Sequence, residues 1–322
     1  MPKKDVLAID NYELVFRTPE GDVKALNGVN LRVPSEEILG LIGETGCGKS
    51  VTAISIMRLL SPSAKVIKGS IVFEGQDLLI KKESEMRTIR GCRIAMIFQD
   101  PSTSLNPLMK VGDQVAEAIV LHQQKNKSEA RKQTIELLKS INVASPESII
   151  DAYPHQLSGG MKQRIMIATA ISCNPTLLIA DEPTSSLDLT TQGQILELFM
   201  DIRKRRATSM LFVTHNLGVV AELCDKVGIM YCGRVVEYGS VRSIFENAQH
   251  PYTRGLFDSV RSLYERTQLL KTIPGIVPNL INVPPGCMFH PRCKYSMDIC
   301  QKERPEYVEA EHGHIVACHK EM

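Results

Sequence analysis

Apolar and polar positions alternate through residues 6–33, as in Tyr12-Glu13-Leu14-Val15-Phe16, and the alternation breaks at Thr18-Pro19-Glu20-Gly21-Asp22. A period of two broken by Pro and Gly predicts a strand, a turn and a second, antiparallel strand. A continuous apolar run from Ile38 to Ile42 reads as a buried strand, and a helical pattern leaves Ser50 and runs through Ile54 and Met57 to Leu60. Further short strands are predicted at 69–73, 94–98, 176–180 and 210–213. Between 111 and 142 the pattern turns helical, with Ala130, Leu137, Leu138 and Ile141 on one face and Ser128 placed as an N-cap. Helices are also predicted over 162–171 and 191–206. The second carries Ile195, Leu198, Phe199 and Ile202 inward, and Arg203-Lys204-Arg205-Arg206 at its end suits a helix C-terminus better than a nucleic acid. A strand-rich chain is thus interrupted by a helical insert.

The segment between the buried strand and its helix reads Gly43-Glu44-Thr45-Gly46-Cys47-Gly48-Lys49-Ser50-Val51 and fits G-x-x-x-x-G-K-[ST], a phosphate-binding loop. The strand–loop–helix order is what the chemistry needs. Gly43, Gly46 and Gly48 let the backbone curl so that N–H groups face phosphate oxygens, and the helix adds the positive end of its dipole. Lys49 supplies a point charge for the β/γ-phosphates, and Ser50 a hydroxyl for Mg²⁺.

Four apolar residues ending in Asp181-Glu182 form the pattern of a strand that delivers a carboxylate to phosphate-bound Mg²⁺. Adjacent acids on an extended chain point opposite ways, so Asp181 suits the metal shell and Glu182 the γ-phosphate and its attacking water. His215, after the next strand, is either a core residue or a γ-phosphate donor. Gly159 and Gly160 are either a second anion site or a loop with a glycine N-cap. Phe16 is either an adenine-stacking ring or a core residue.

The 322 residues allow about two domains. A net charge of +2 sets up no field that favours nucleic acid or an anionic membrane. No apolar run approaches the ~18 residues of a membrane span. The polar start Met1-Pro2-Lys3-Lys4 predicts no leader and a cytosolic chain, in which nine cysteines are free thiols or metal ligands.

In order, residues 43–50, Gln99, residues 157–161 (Leu157, Ser158, Gly159, Gly160, Met161), residues 178–182, residues 185–188 ending in Asp188, and His215 resemble the Walker A, Q-loop, signature, Walker B, D-loop and H-loop of the ABC ATPases. The resemblance covers about residues 6 to 244. It implies an α/β P-loop core with an antiparallel β-subdomain and a helical subdomain at about 100–165, together forming a nucleotide-binding domain over 1–250. It implies ATP and Mg²⁺ as cofactors, with Ser50, Gln99 and Asp181 at the metal, Glu182, His215 and Gln99 catalytic, and Phe16 on adenine. It also implies a head-to-tail dimer with an identical or sibling ATPase, in which Leu157 to Met161 and Asp188 complete the partner's site. Thr45, Cys47 and Ser186 depart mildly from the family pattern, and Cys47 would put an alkylation-sensitive thiol at the phosphates.

Gln99-Asp100-Pro101 running into Ser104-Leu105-Asn106-Pro107, then His250-Pro251-Tyr252-Thr253 and Ile273-Pro274-Gly275, narrow the resemblance to ATPase subunits of dipeptide/oligopeptide importers, whose relatives carry nickel. That implies two membrane permease subunits, an extracytoplasmic binding protein, and a peripheral place on the cytoplasmic face of the membrane. A non-transport ABC ATPase is the alternative; repair ATPases place far more than the roughly 110 residues found here between loop and signature. Cys287, Cys293, Cys300 and Cys318, spaced C-x5-C-x6-C-x17-C in a small, irregular, Cys-rich extension over 251–322, look like a site folded by metal. The resemblance implies a [4Fe–4S] cluster. Zn²⁺, with His290, His312, His314 or His319 in place of a thiolate, is the rival, and four unligated thiols are the plain alternative. Cys92, Cys173, Cys224 and Cys232 read as buried fillers.

Overall fold

The computed structural model describes residues 4–264 and 272–320, so Met1 to Lys3 of the polar start lie outside the described residues. The chain divides into two compact units: one of residues 1–6, 33–38 and 74–213, the other of residues 7–32, 39–73 and 214–322.

The first unit is built on three parallel strands, Ile94–Ile97, Leu177–Asp181 and Ser209–Val213, with Ile94 opposite Leu177 and Leu177 opposite Ser209. All three are buried end to end, which is why their sequences are apolar runs rather than alternations. The helical insert is two helices, Val111–Gln123 and Lys127–Ser140, where the sequence suggested one pattern. Gln124, in a left-handed conformation, ends the first. The N-cap of the second is Asn126, not Ser128. Its side chain accepts from the Glu129 amide while Glu129 reaches back to the Asn126 amide, a reciprocal capping box. Ala130, Leu137, Leu138 and Ile141 are buried as their spacing predicts.

In the second unit the strands Asp5–Thr18 and Gly21–Pro34 form the predicted hairpin, and the first also pairs antiparallel with Ala64–Phe73. The strand Ile38–Ile42 pairs in parallel with Lys226–Tyr231 from Leu39 onward. Arg234–Ser240 then pairs antiparallel with Lys226–Tyr231, His314–Val316 with Arg234–Ser240, and Val308–Glu311 with His314–Val316. The cysteine-bearing tail therefore ends in two strands that extend a sheet of the preceding chain, where the sequence suggested an irregular segment.

A buried polar cluster pins that attachment. The Glu237 carboxylate accepts from the Gln249 and His250 amides at 2.6 and 3.1 Å and meets His314 Nε2 at 2.8 Å. His250 is buried, and its Nδ1 accepts the Tyr252 amide at 3.1 Å. Burial pushes its pKa down from 6.5 to about 4, against the pull of Glu237. The unfolded chain gains this proton near pH 6.5 and the folded chain only near pH 4. Stability from His250 is therefore complete above pH 6.5 and is lost as pH falls through that window, by about 3 kcal/mol at full extent. The thermal midpoint is expected to drop between pH 7 and pH 5, and His250→Asn, whose oxygen keeps the Tyr252 amide bonded, should flatten that slope. An equally steep slope in the variant would contradict the assignment.

Candidate functional site

In the second unit the strand Ile38–Ile42 runs into the glycine-rich loop, and the helix Lys49–Met57 follows. The helix ends three residues earlier than its sequence pattern, because Arg58 takes a left-handed conformation and stops it. Gly43 must be glycine, since a Cβ there would lie 2.1 Å from the Met230 carbonyl oxygen. Gly48 caps the helix at a φ of 106°, open to glycine and strained for other residues. Lys49 is buried, and its ammonium donates to the carbonyls of Gly43 (2.8 Å) and Glu44 (3.1 Å). The positive charge is thus held inside the curl where phosphate would sit.

Thr45 and Gly46 form the exposed crest, and Ser50 and Val51 are half-buried. Cys47 is buried, and burial pushes its thiol up despite the nearby Lys49 charge. The expected alkylation-sensitive thiol is therefore a shielded, protonated one. Phe16 is half-buried opposite Ala64 near the end of its strand. His215 is exposed, beside a turn that Asn216 closes by accepting from the Gly218 and Val219 amides.

In the first unit Asp181 ends its strand almost buried. Glu182 leaves the strand with a φ of 46°, a left-handed conformation costly for a residue with a Cβ. Glu182 thus stands at a turn just past the strand, so the strand alternation that the sequence suggested does not set its direction. The Glu182 amide donates to the Val213 carbonyl at 2.9 Å, and its carboxylate accepts from Gln99 Nε2 at 3.2 Å. Gln99 and Glu182 are thus brought together.

Ser158 caps the helix Gly159–Ile171, its hydroxyl accepting from the Met161 amide at 3.3 Å. Gly159 and Gly160 are the first residues of that helix, where the spacing put them ahead of it. Ser158 and Gly159 are exposed, and Leu157 is buried. A Cβ on Gly160 would come within 2.8 Å of the Thr191 methyl. Asp188 caps the helix Leu189–Arg206, accepting from the Thr191 amide and hydroxyl, which holds its carboxyl below the usual range.

Cys287, Cys293, Cys300 and Cys318 line one small cavity, with His290 and His319 also on its wall. The amides of Phe289, Tyr295 and Lys320 donate to the sulfurs of Cys287, Cys293 and Cys318. Burial pushes the Cys287 thiol up to about 11 and raises Cys293 and Cys318 as well. Among the described residues no group of three or more His, Cys, Asp or Glu side chains is drawn together so as to hold a metal ion. The four cysteines expected as ligands thus line one cavity without forming such a group. Of the other cysteines expected to be buried fillers, Cys232 is buried, whereas Cys92, Cys173 and Cys224 are half-buried.

Two residues escape the sequence reading. The Glu44 amide donates to the Tyr252 hydroxyl at 2.9 Å, and the Glu44 carboxylate is gripped by Arg292. Tyr252 lies in the His250-Pro251-Tyr252-Thr253 segment that the sequence marks out. Nothing local marks Arg292.

A phosphate loop at a strand–helix junction, an Asp-Glu pair at a strand end and a serine-capped Gly-Gly helix start define an ATP-hydrolysing cassette. The ABC transporter family profile matches residues 26–185, and that of the oligopeptide/dipeptide transporter C-terminal region matches residues 236–300. The chain is 48% identical over 98% of its length, and 96% of the relative's, to a probable peptide ABC transporter ATP-binding protein of Sinorhizobium fredii. It is 44% identical to the oligopeptide transport ATP-binding protein OppD of Salmonella typhimurium, over 99% of this chain and 95% of that protein. It is 46% identical to the dipeptide transport ATP-binding protein DppD of Bacillus subtilis, over 97% and 94%. A dimeric ATP-binding cassette solved in a post-hydrolysis state with ADP and Pi superposes at a TM-score of 0.66, with 26% identity over 73% of this chain and 99% of that one. The chain belongs to the ABC transporter ATP-binding proteins of the oligopeptide/dipeptide family.

Proposed function

We propose that this chain is the ATP-hydrolysing subunit of an importer that carries dipeptides or oligopeptides across the cytoplasmic membrane. The observation that carries the reading is near full-length similarity, tail included, to proteins named for peptide transport. The nickel and non-transport readings lose ground for the same reason. Residues 1–250 serve as the nucleotide-binding domain and 251–322 as its extension.

The loop's amides and Lys49 hold the β- and γ-phosphates, and Phe16 stacks on adenine. Ser50, Gln99 and Asp181 would hold Mg²⁺, which supplies charge neutralisation at the phosphates. Glu182 orients the water and takes its proton, and His215 donates to the γ-phosphate. Chemistry of this kind is positioning plus electrostatics. Ser158, capping an exposed helix start, and the first amides of that helix offer donors to an anion, and they serve the γ-phosphate of a second, head-to-tail ATPase subunit.

Two permease subunits serve the pair of ATPases, and a helix of one of them docks on the helical insert of this chain. Its groove of about 590 Å³ is lined by Met109, Ala116, Val120 and Leu121 and edged by Asp113, Glu117, Lys127 and Arg131. Leu108 and Leu121 are 85% and 71% exposed there, more apolar surface than a solvated helix pair needs. Among the described residues no helix is long and apolar enough to cross a membrane, so attachment through such a surface is peripheral. Co-expression with candidate permease subunits tests this: the proteins should co-purify from detergent extract, and Leu121→Asp should release the chain. Recovery of the chain without permeases, under conditions that keep the permeases intact, would count against it.

For the four tail cysteines the reading rests on donor chemistry alone, four soft thiols around one cavity. A [4Fe–4S] cluster, or secondly Zn²⁺, would take them by displacing their protons. Anaerobically purified chain is expected to absorb near ~400 nm and to lose that band in Cys300→Ser. Colourless, iron-free protein would reject the cluster, and stoichiometric zinc would replace it.

A further inference from the structure

The phosphate loop is braced from the far end of the chain. Arg292, separated from Glu44 by 248 positions, donates from its two terminal nitrogens to the two Glu44 oxygens at 2.7 and 3.0 Å. The fork is rigidly held on its own side. Its Nε donates to the Pro274 carbonyl at 3.0 Å, a second contact reaches the Ile273 carbonyl at 3.4 Å, and the guanidinium lies by the Tyr231 and Phe289 rings. The Arg292 side chain is 4% exposed and that of Glu44 27%. An arginine this buried and bidentate is a geometric clamp rather than a screened surface pair.

Glu44 is where four restraints meet. Its amide is tied to Tyr252, its carbonyl accepts Lys49 and, at 3.2 Å, the Cys47 amide, and its carboxylate accepts Arg292. Beyond it the crest has little else to lean on, since a Cβ built on Gly46 would meet nothing within 4 Å. When Lys49 turns to a phosphate it must leave the Glu44 carbonyl, and the Arg292 and Tyr252 contacts then join the local Cys47 amide bond in keeping the loop curled. Arg292 also neutralises a carboxylate that would otherwise stand as a like charge beside a polyanion. It lies between Cys287 and Cys293, whose backbones build its turn.

We propose that Arg292 is a positioning residue for ATP binding, which holds Glu44, and through it the phosphate loop, in the binding-competent curl and so ties that curl to the folding of the C-terminal segment. The inference rests on the reading of residues 43–50 as the phosphate site.

The test is equilibrium titration of the full-length chain with a fluorescent ATP analogue and Mg²⁺, for Arg292→Ala, Arg292→Lys, Glu44→Gln and the Arg292→Ala/Glu44→Gln pair, with Lys49→Ala as control. Arg292→Ala should weaken affinity tenfold or more, and Arg292→Lys by less. The pair should bind no worse than Arg292→Ala alone, because Glu44→Gln removes the uncompensated charge. Should Arg292→Ala fail to fold, Glu44→Gln, altered only on the partly exposed loop, should by itself weaken affinity at least threefold. Wild-type affinity in folded Arg292→Ala or in Glu44→Gln, or effects that multiply in the pair, would overturn the proposal. Loss of binding in Lys49→Ala alone would leave the phosphate-site reading intact while this inference fell, whereas wild-type chain that binds no analogue would bring down the reading itself.

Discussion

Replacing Glu182 by glutamine is expected to leave MgATP affinity within about twofold of wild type and to cut turnover by ~10²–10⁴, the range that a positioned general base supplies. The backbone argues that the substitution is clean. Glu182 is held at its left-handed turn by its amide on the Val213 carbonyl and by Ser185, whose hydroxyl donates to the Glu182 carbonyl at 3.1 Å. None of that depends on the carboxylate. Glutamine keeps the side-chain length and an oxygen for Gln99 Nε2, and loses only the charge that takes a proton from water. Wild-type hydrolysis in the variant would remove Glu182 from the mechanism. Equal loss of binding and turnover would make it a structural residue.

Lys49→Ala is the second large effect, and it falls on binding itself. The ammonium is buried against two loop carbonyls, so its position is set in advance at the phosphate curl. Charge-assisted bonds of this kind contribute ~1.5–3 kcal/mol each, so nucleotide affinity should fall about ten- to a hundredfold. Measured by the same fluorescent titration, an unchanged affinity would mean that the loop is a glycine-rich turn with no ligand. The contrast between the variants is itself informative: Glu182→Gln separates chemistry from binding, and Lys49→Ala does not.

Much of this could be read from the sequence because the physics is local. Buried parallel strands must be apolar runs, and a phosphate loop must place glycines where a side chain would collide, as at Gly43. Some misreadings have equally local causes, and others come from packing between distant parts of the chain. Ser128 and Asn126 are both good cap residues, and Glu129 decides between them, since three residues beyond Asn126 it closes a reciprocal box. Strand alternation predicts a direction for Glu182, but the strand ends at Asp181 and a positive φ has no period to detect. Cys47 looked reactive because it sits in the loop read as the phosphate site; its burial depends on packing that no local pattern shows. The Arg292 clamp was beyond reach for the same reason. A single arginine in a turn carries no pattern, and its partner lies 248 positions away.

ATP bound at residues 43–50 and hydrolysed through Glu182 is expected to drive peptide import. Reconstituting the chain with its permease subunits, partner ATPase and binding protein in vesicles, and following uptake of a labelled oligopeptide with ATP on the side of the ATPases, measures this. ATP-dependent accumulation is expected of the wild-type complex, and background uptake when this chain carries Lys49→Ala or Glu182→Gln. Accumulation at the wild-type rate with either variant, or with ATP withheld, would contradict it.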